Sequence, residues 1–315
     1  MTQPDGMRKY PPRHVAPHLE TLLRTELDDL LALGIIVPCG DSPVAHPIVC
    51  ATKPRFRLCV DYSVWLNKWT VLLKHPIPSI NHILENLSRK KYFAQIDLSK
   101  AFHQLTVHPD DRWKLAFTTV FGNFTFVSLP FGPTNGPMKF QQLIESILSG
   151  VPDVYPYIDD INIGADTPEE LLSTLKEVFL RLLRANIHCN PKKTKLGFMH
   201  VNVLGRVVSQ NKIGLTEERT KAVLAIPFPS THKRMRSFLG QALYFQPYVP
   251  YYGVLAAPLN NTVSSKTAYK PTLEVKHAFH KLRHALAHTA TLAPLDYSLP
   301  ILVRCDASGA APTFR

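Results

Sequence analysis

The chain has 315 residues, 45% of them hydrophobic, with a formal charge of +12 and a pI near 9.5. That is enough apolar matter for one large or two to three modest domains, it excludes a disordered chain, and the basic balance favours a polyanionic partner. Residues 1–17 hold no apolar core and the longest apolar run, residues 30–39, is broken by Gly34 and Pro38, so a secretory leader and a bilayer span are not expected.

In chain order, Leu19, Leu22, Leu23, Leu27, Leu30, Leu31 and Leu33 recur at helical spacing and predict one amphipathic helix ending at Gly34. Residues 35–60 read as short strands that Pro38, Pro43, Pro47 and Pro54 restrict to edges and turns. Residues 91–97 are a predicted strand, and residues 114–127 a hairpin with Gly122-Asn123 in its middle. After Thr134-Asn135-Gly136-Pro137, the residues Phe140, Leu143, Ile144, Ile147 and Leu148 mark a capped helix. Tyr157-Ile158-Asp159-Asp160 lies between two short apolar runs, as a hairpin tip would. Thr167-Pro168-Glu169-Glu170 is a capping signature, with Leu171, Leu172, Leu175, Val178, Phe179, Leu182 and Leu183 as the buried stripe of the helix that follows. Further helices are read over residues 231–243 and 272–286, with Asn260-Asn261, Ser264, Ser265 and Pro271 in a looser connector. A β/α segment followed by helices is an α+β pattern. The five cysteines, Cys39, Cys50, Cys59, Cys189 and Cys305, are odd in number and never spaced C-x-x-C, so the chain reads as intracellular and reducing, without a disulfide framework or zinc knuckle.

Charge is unevenly placed. Residues 181–240 hold twelve Lys and Arg against Glu217 and Glu218, a balance of +10. Either this is a solvated surface or it is a track for a phosphate backbone, and the concentration favours the track. Two adjacent Asp at a hairpin tip repel each other and gain nothing from packing. A site that keeps Asp159 and Asp160 beside a third carboxylate, Asp97, usually holds divalent metal. A water-exposed Asp-Asp turn is the alternative.

Five blocks stand in order: Arg57-Leu58-Cys59-Val60-Asp61-Tyr62, Gln95 through Gln104, Leu129 through Pro137, Tyr157-Ile158-Asp159-Asp160, and Leu204-Gly205. Together they resemble the reverse transcriptase of gypsy-type long-terminal-repeat retrotransposons, with retroviral and pararetroviral enzymes as relatives. The likeness continues through Arg236-Ser237-Phe238-Leu239-Gly240 and Tyr244 to Val303 through Ser308, which is similar to the opening strand of a ribonuclease H domain. It implies a polymerase right hand: N-terminal helix and fingers over residues 1–90, palm over 91–207 with an inserted fingers segment near 105–130, thumb over 208–262, connection over 263–299, and a ribonuclease H start over 300–315. It implies RNA-directed DNA polymerase activity on an RNA or DNA template-primer with deoxynucleoside triphosphates, in the cytoplasm within a particle or in the nucleus. The alternative is a decayed copy that at most binds nucleic acid.

The resemblance also assigns residues. Asp97, Asp159 and Asp160 would hold two Mg2+, with Mn2+ as a substitute, and Lys193 would protonate the leaving pyrophosphate, though a phosphate contact or plain solvation suits it almost as well. Phe102 would exclude a ribose 2′-hydroxyl, although an isolated Phe is more often core. Arg57, Lys53, Phe131 and Gly132 would bind the incoming nucleotide, with Lys53 on a fingers loop shortened to Thr52-Lys53-Pro54-Arg55-Phe56. Lys192, Lys195, Gly205 and Arg206 would contact the duplex. Trp65 reads as a one-residue insertion, Pro247 as a break in a thumb helix, and Asp306 as a lone carboxylate that predicts no ribonuclease H activity.

Overall fold

A computed structural model describes residues 7–52, 56–264, 269–287, 305–308 and 311–314. The chain divides into two compact units, residues 1–78, 95–163 and 172–196, and residues 79–94, 164–171 and 197–315. Its first elements are α1 (Pro17–Ala32), β1 (Ile36–Pro38), β2 (His46–Ala51), β3 (Arg57–Val60), α2 (Leu66–Trp69) and α3 (Ile80–Ser88). Next come β4 (Tyr92–Asp97), β5 (Phe117–Thr119), β6 (Gly122–Phe126), α4 (Gly136–Leu148), β7 (Val154–Tyr157), β8 (Asp160–Ala165) and α5 (Pro168–Arg184). The last are β9 (Lys195–Phe198), β10 (His200–Val203), β11 (Arg206–Ser209), β12 (Lys212–Leu215), α6 (Glu217–Leu224), α7 (His232–Leu243), α8 (Tyr252–Ser264), α9 (Leu273–Ala287), β13 (Cys305–Ser308) and β14 (Ala311–Phe314).

In the first unit, β1-β6-β5-β2-β3 form a five-stranded sheet, antiparallel except where β2 meets β5. The Leu23, Leu27 and Leu30 stripe of α1 packs with Ile36, Ile48, Tyr62 and Phe117 in one core. A second sheet has the order β7-β8-β4-β9. In the second unit β10, β11 and β12 make an antiparallel meander, and Met235, Phe238, Phe279 and Leu282 centre a helical core. Strands β13 and β14 pair as an antiparallel hairpin. Among the described residues no helix is long and apolar enough to cross a membrane.

Several local expectations meet their physical reasons here. The capping signature is realised, since Glu170 N–H donates to Thr167 Oγ1 at 3.2 Å and Thr167 N–H donates to Glu170 Oε2 at 3.3 Å. The apolar stripe of α5 is narrower than expected: Leu171, Leu175, Val178 and Leu182 are buried while Leu172, Phe179 and Leu183 are exposed. The 114–127 hairpin is displaced. Residues Pro109–Leu115 form a 3-10 helix and the turn is Val120-Phe121, with Gly122 (φ +123) opening β6 instead of sitting in the turn. Thr119 closes that turn by accepting from Phe121 N–H and donating to Gly122 O. Pro247 does not break a helix, because α7 has already stopped at Leu243 and Pro247 lies in the 3-10 turn Gln246–Tyr248. Asn260, Asn261 and Ser264 belong to α8, which carries Pro258 within it, rather than to a connector, and Ser265 lies outside the described residues. Trp65 is accommodated by burial, its ring 6.1 Å from those of His46 and Trp113. Helices α2, α3, α6 and α8 have no counterpart in the sequence reading.

Candidate active site

Strand β4 ends on Asp97, and the hairpin of β7 and β8 carries the other two carboxylates. Its last rung pairs Tyr157 with Asp160, which leaves Ile158 and Asp159 as a two-residue loop. Ile158 has φ +54 and Asp159 does not share the positive region. That is the pattern of a type II′ turn, whose first loop position ordinarily takes glycine. A β-branched residue there stores strain on the order of 1–3 kcal/mol, which the surroundings must hold in place. Two contacts do so: Leu98 N–H donates to Asp159 O at 3.0 Å, and Ile158 N–H donates to Gln141 Oε1 at 2.6 Å.

Electrostatics distinguish the three acids. Asp97 is shielded, with 22% of its side chain exposed, and its Oδ2 lies 3.3 Å from Lys193 Nζ. Asp159 is exposed and Asp160 half-buried. Burial, and then the charges of Asp159 and Asp97, push the Asp160 carboxyl up to about 6 against the pull of Lys193. Lys193 reaches Asp97 because the turn carrying it is tied to β4: Asn190 N–H donates to Asp97 O at 2.8 Å, and Lys193 N–H donates to Asn190 O at 3.2 Å. Among the described residues no three His, Cys, Asp or Glu side chains form a metal cage. Magnesium rarely uses one; it takes one or two carboxylates and completes its shell with water and phosphate oxygens. Hard oxygen donors with one neighbouring ammonium fit such an ion.

Phe102 is 9% exposed and lies edge-on to Phe131 and Phe140, with centroids at 4.9 and 5.6 Å. Phe131 is itself exposed. At Gly132, with φ +113, a Cβ would stand 3.0 Å from the Tyr62 ring and 3.2 Å from Val60 O, so the loop passes Tyr62 only as glycine. Two asparagines bind this loop to α2 and the segment after it. Asn67 donates to Gly132 O and accepts from Thr134 N–H, both at 3.0 Å, while Asn135 accepts from Leu73 N–H at 3.1 Å and donates to Val71 O at 2.8 Å. Asn135 therefore spends its side chain on this clasp and not on capping α4. Arg57 is exposed at the start of β3, Lys192 and Lys195 are exposed, and Lys53 lies outside the described residues.

In the second unit, Leu204 (φ +50) and Gly205 (φ +80) turn β10 into β11. A Cβ at Gly205 would collide with the Arg219 guanidinium. Arg219 in turn lies 4.5 Å from the Tyr244 ring centroid, and Arg206 lies 5.3 and 5.4 Å from those of Tyr244 and Tyr248. Arg206 also reaches Asn81 Oδ1 at 3.4 Å. The group standing closest to Gly205 is thus the flexible end of a side chain of this chain, and it is the φ of +80 that favours glycine there.

Sequence reasoning missed Gln141, Gln104 and the Asn67–Asn135 clasp. Gln104 bridges Ser99 and His188 by donating to both carbonyls, at 2.5 and 3.0 Å, and by accepting from His188 N–H at 2.7 Å. A signal existed for Gln141: it adjoins Phe140 and lies three residues before Ile144, on the apolar side of α4, where a polar group needs a reason.

Residues 51–243 match the family described as reverse transcriptase (RNA-dependent DNA polymerase). The retrovirus-related Pol polyprotein from transposon 297 of Drosophila melanogaster is 30% identical over 314 residues, covering 96% of this chain and 29% of that protein. The foamy viral protease-reverse transcriptase dRH in complex with double-stranded DNA is similar at TM-score 0.89 and 30% identity, covering 98% of this chain and 55% of that one. The foamy viral protease-reverse transcriptase in complex with an RNA/DNA hybrid gives TM-score 0.84 at 30% identity, covering 96% and 41%. The chain spans less than a third of the curated relative and about two fifths to just over half of these two solved ones.

Proposed function

We propose, from the premise that this chain belongs to the reverse transcriptase (RNA-dependent DNA polymerase) family, that it adds deoxynucleotides to a primer 3′-end along an RNA or DNA template. The observation that carries the reading is geometric: Asp97 closes β4, Leu98 N–H beside it donates to Asp159 O at 3.0 Å so that the hairpin carrying Asp159 and Asp160 is tied to the end of that strand, and Lys193 Nζ stands 3.3 Å from Asp97 Oδ2. In this reading Asp97, Asp159 and Asp160 would hold two Mg2+ or Mn2+, which when bound would supply acidification of the primer hydroxyl and neutralisation of the departing pyrophosphate.

The other residues divide the remaining work. Lys193, already beside Asp97, supplies a proton to the leaving group. Phe102, Phe131 and Gly132 shape the sugar and base side of the pocket, with Arg57 and Lys53 toward the triphosphate. Lys192, Lys195, Gly205 and Arg206 serve the duplex, Arg206 from within its stack on Tyr244 and Tyr248. Residues 1–90 and 105–130 act as fingers, the rest of 91–207 as palm, 208–262 as thumb and 263–299 as connection. An intracellular setting, in a cytoplasmic particle or the nucleus, goes with this chemistry.

Primer extension on poly(rA)/oligo(dT) with Mg2+ or Mn2+ tests the proposal. Wild-type chain should extend the primer, and Asp159→Asn should lose extension by on the order of a thousandfold while duplex affinity changes little. A chain that binds duplex and never extends is a nucleic-acid-binding protein instead.

A further inference from the structure

The carboxamide of Gln141 is committed on every side. Its Oε1 accepts from Ile158 N–H at 2.6 Å, and its Nε2 donates to Pro156 O at 3.0 Å and to Glu145 Oε1 at 2.7 Å. Gln141 is fully buried, so its own amide has no water to turn to if these partners are lost. Its direction is also decided. Turned end for end, the amide would aim N–H at the Ile158 N–H, and would aim oxygen at both Pro156 O and the Glu145 carboxylate. Glu145 is held in turn, with Oε2 2.7 Å from His75 Nε2. Both ends of the amide thus grip the β7–β8 hairpin, one at Pro156 near the end of β7 and the other at Ile158 in the loop itself. The gripped residue, Ile158, is the β-branched one at φ +54.

Resting on the polymerase reading above, we propose that Gln141 is a positioning residue: it holds Ile158 in the left-handed region and so fixes where the Asp159 and Asp160 carboxylates point. It touches neither nucleotide nor primer. Glu145 and His75 set the amide, the amide sets the turn, and the turn sets the acids.

The test is a double-mutant cycle in the full chain. Glycine takes a positive φ without help, so Ile158→Gly removes the need for the grip. Gln141→Leu should lower kcat for single-nucleotide insertion by on the order of 30- to 100-fold, since small misplacements of reacting groups cost that much, with KM for dTTP within about threefold. Its Mn2+ affinity, read by electron paramagnetic resonance without nucleic acid, should weaken by on the order of tenfold. In the Ile158→Gly background the same replacement should cost less than about threefold in both readouts. Equal costs in the two backgrounds overturn the proposal. Should Gln141→Leu fail to fold, Gln141→Glu decides: it keeps the acceptor for Ile158 N–H and can share one proton with Glu145, so it should stay within about tenfold of wild type. A loss as deep as total inactivity there also overturns it. A wild-type chain that extends no primer refutes the polymerase reading alone, because the Mn2+ arm still decides on Gln141.

Discussion

Replacing Asp160 by Asn removes a charge from a half-buried position between two other acids. Its carboxyl is raised from 3.8 to about 6. At about 1.4 kcal/mol per unit, the shift bounds the cost of ionising Asp160 in the folded chain near 3 kcal/mol. Solvent reaches the group, so the expected value is about 1–2 kcal/mol. The folded value lies above the unfolded one. The stability contributed by this group is therefore full below about pH 4, falls as pH rises toward 6 and is lost above it. Thermal unfolding in EDTA reads this directly. At pH 8 the Asn variant should melt about 2–6 °C above wild type; the gap should shrink by about half at pH 5 and close near pH 4. Added Mg2+ should raise the wild-type midpoint more than that of the variant, since an ion that binds the acids offsets their repulsion. A variant that melts at or below wild type at pH 8, or a gap that ignores pH, would refute the coupling.

Gly132→Ala, with its Cβ 3.0 Å from the Tyr62 ring at φ +113, should lose about 2 kcal/mol or more in a denaturant titration, and primer extension should fall with it. Phe102→Val should raise UTP insertion relative to dTTP by on the order of tenfold while costing about 2–4 kcal/mol from the lost Phe131 and Phe140 contacts; an unchanged ratio beside a lowered midpoint would assign the ring to packing alone. Changing Lys192, Lys193 and Lys195 together to Gln should flatten the log-log salt dependence of duplex binding by about 2–3, and an unchanged slope removes them from the interface.

The motif order made the carboxylates and the family legible, and local chemistry made Thr167 and Glu170 legible because their partners are three residues apart. What escaped is contact at long range. Gln141 bonds to the backbone seventeen residues on, and Asn67 to Gly132 and Thr134 more than sixty residues on; no periodicity encodes either. The α5 stripe was overdrawn because seven apolar residues cover a wide arc, and burial selected only Leu171, Leu175, Val178 and Leu182. Ile158 was invisible as a left-handed residue because β-branching argues against that conformation. The Val120-Phe121 turn misled for a related reason: its loop residues are apolar and the glycine follows them.

Tyr244 offers one ring to two guanidinium groups, Arg206 from β11 and Arg219 from α6, while itself ending α7. Helices α6 and α7 already share the buried cluster of Val223, Met235 and Phe238, and the Tyr244 ring adds β11 to them through Arg206. Tyr244→Ala should therefore loosen deuterium exchange in β11 relative to the two helices, which keep their common core.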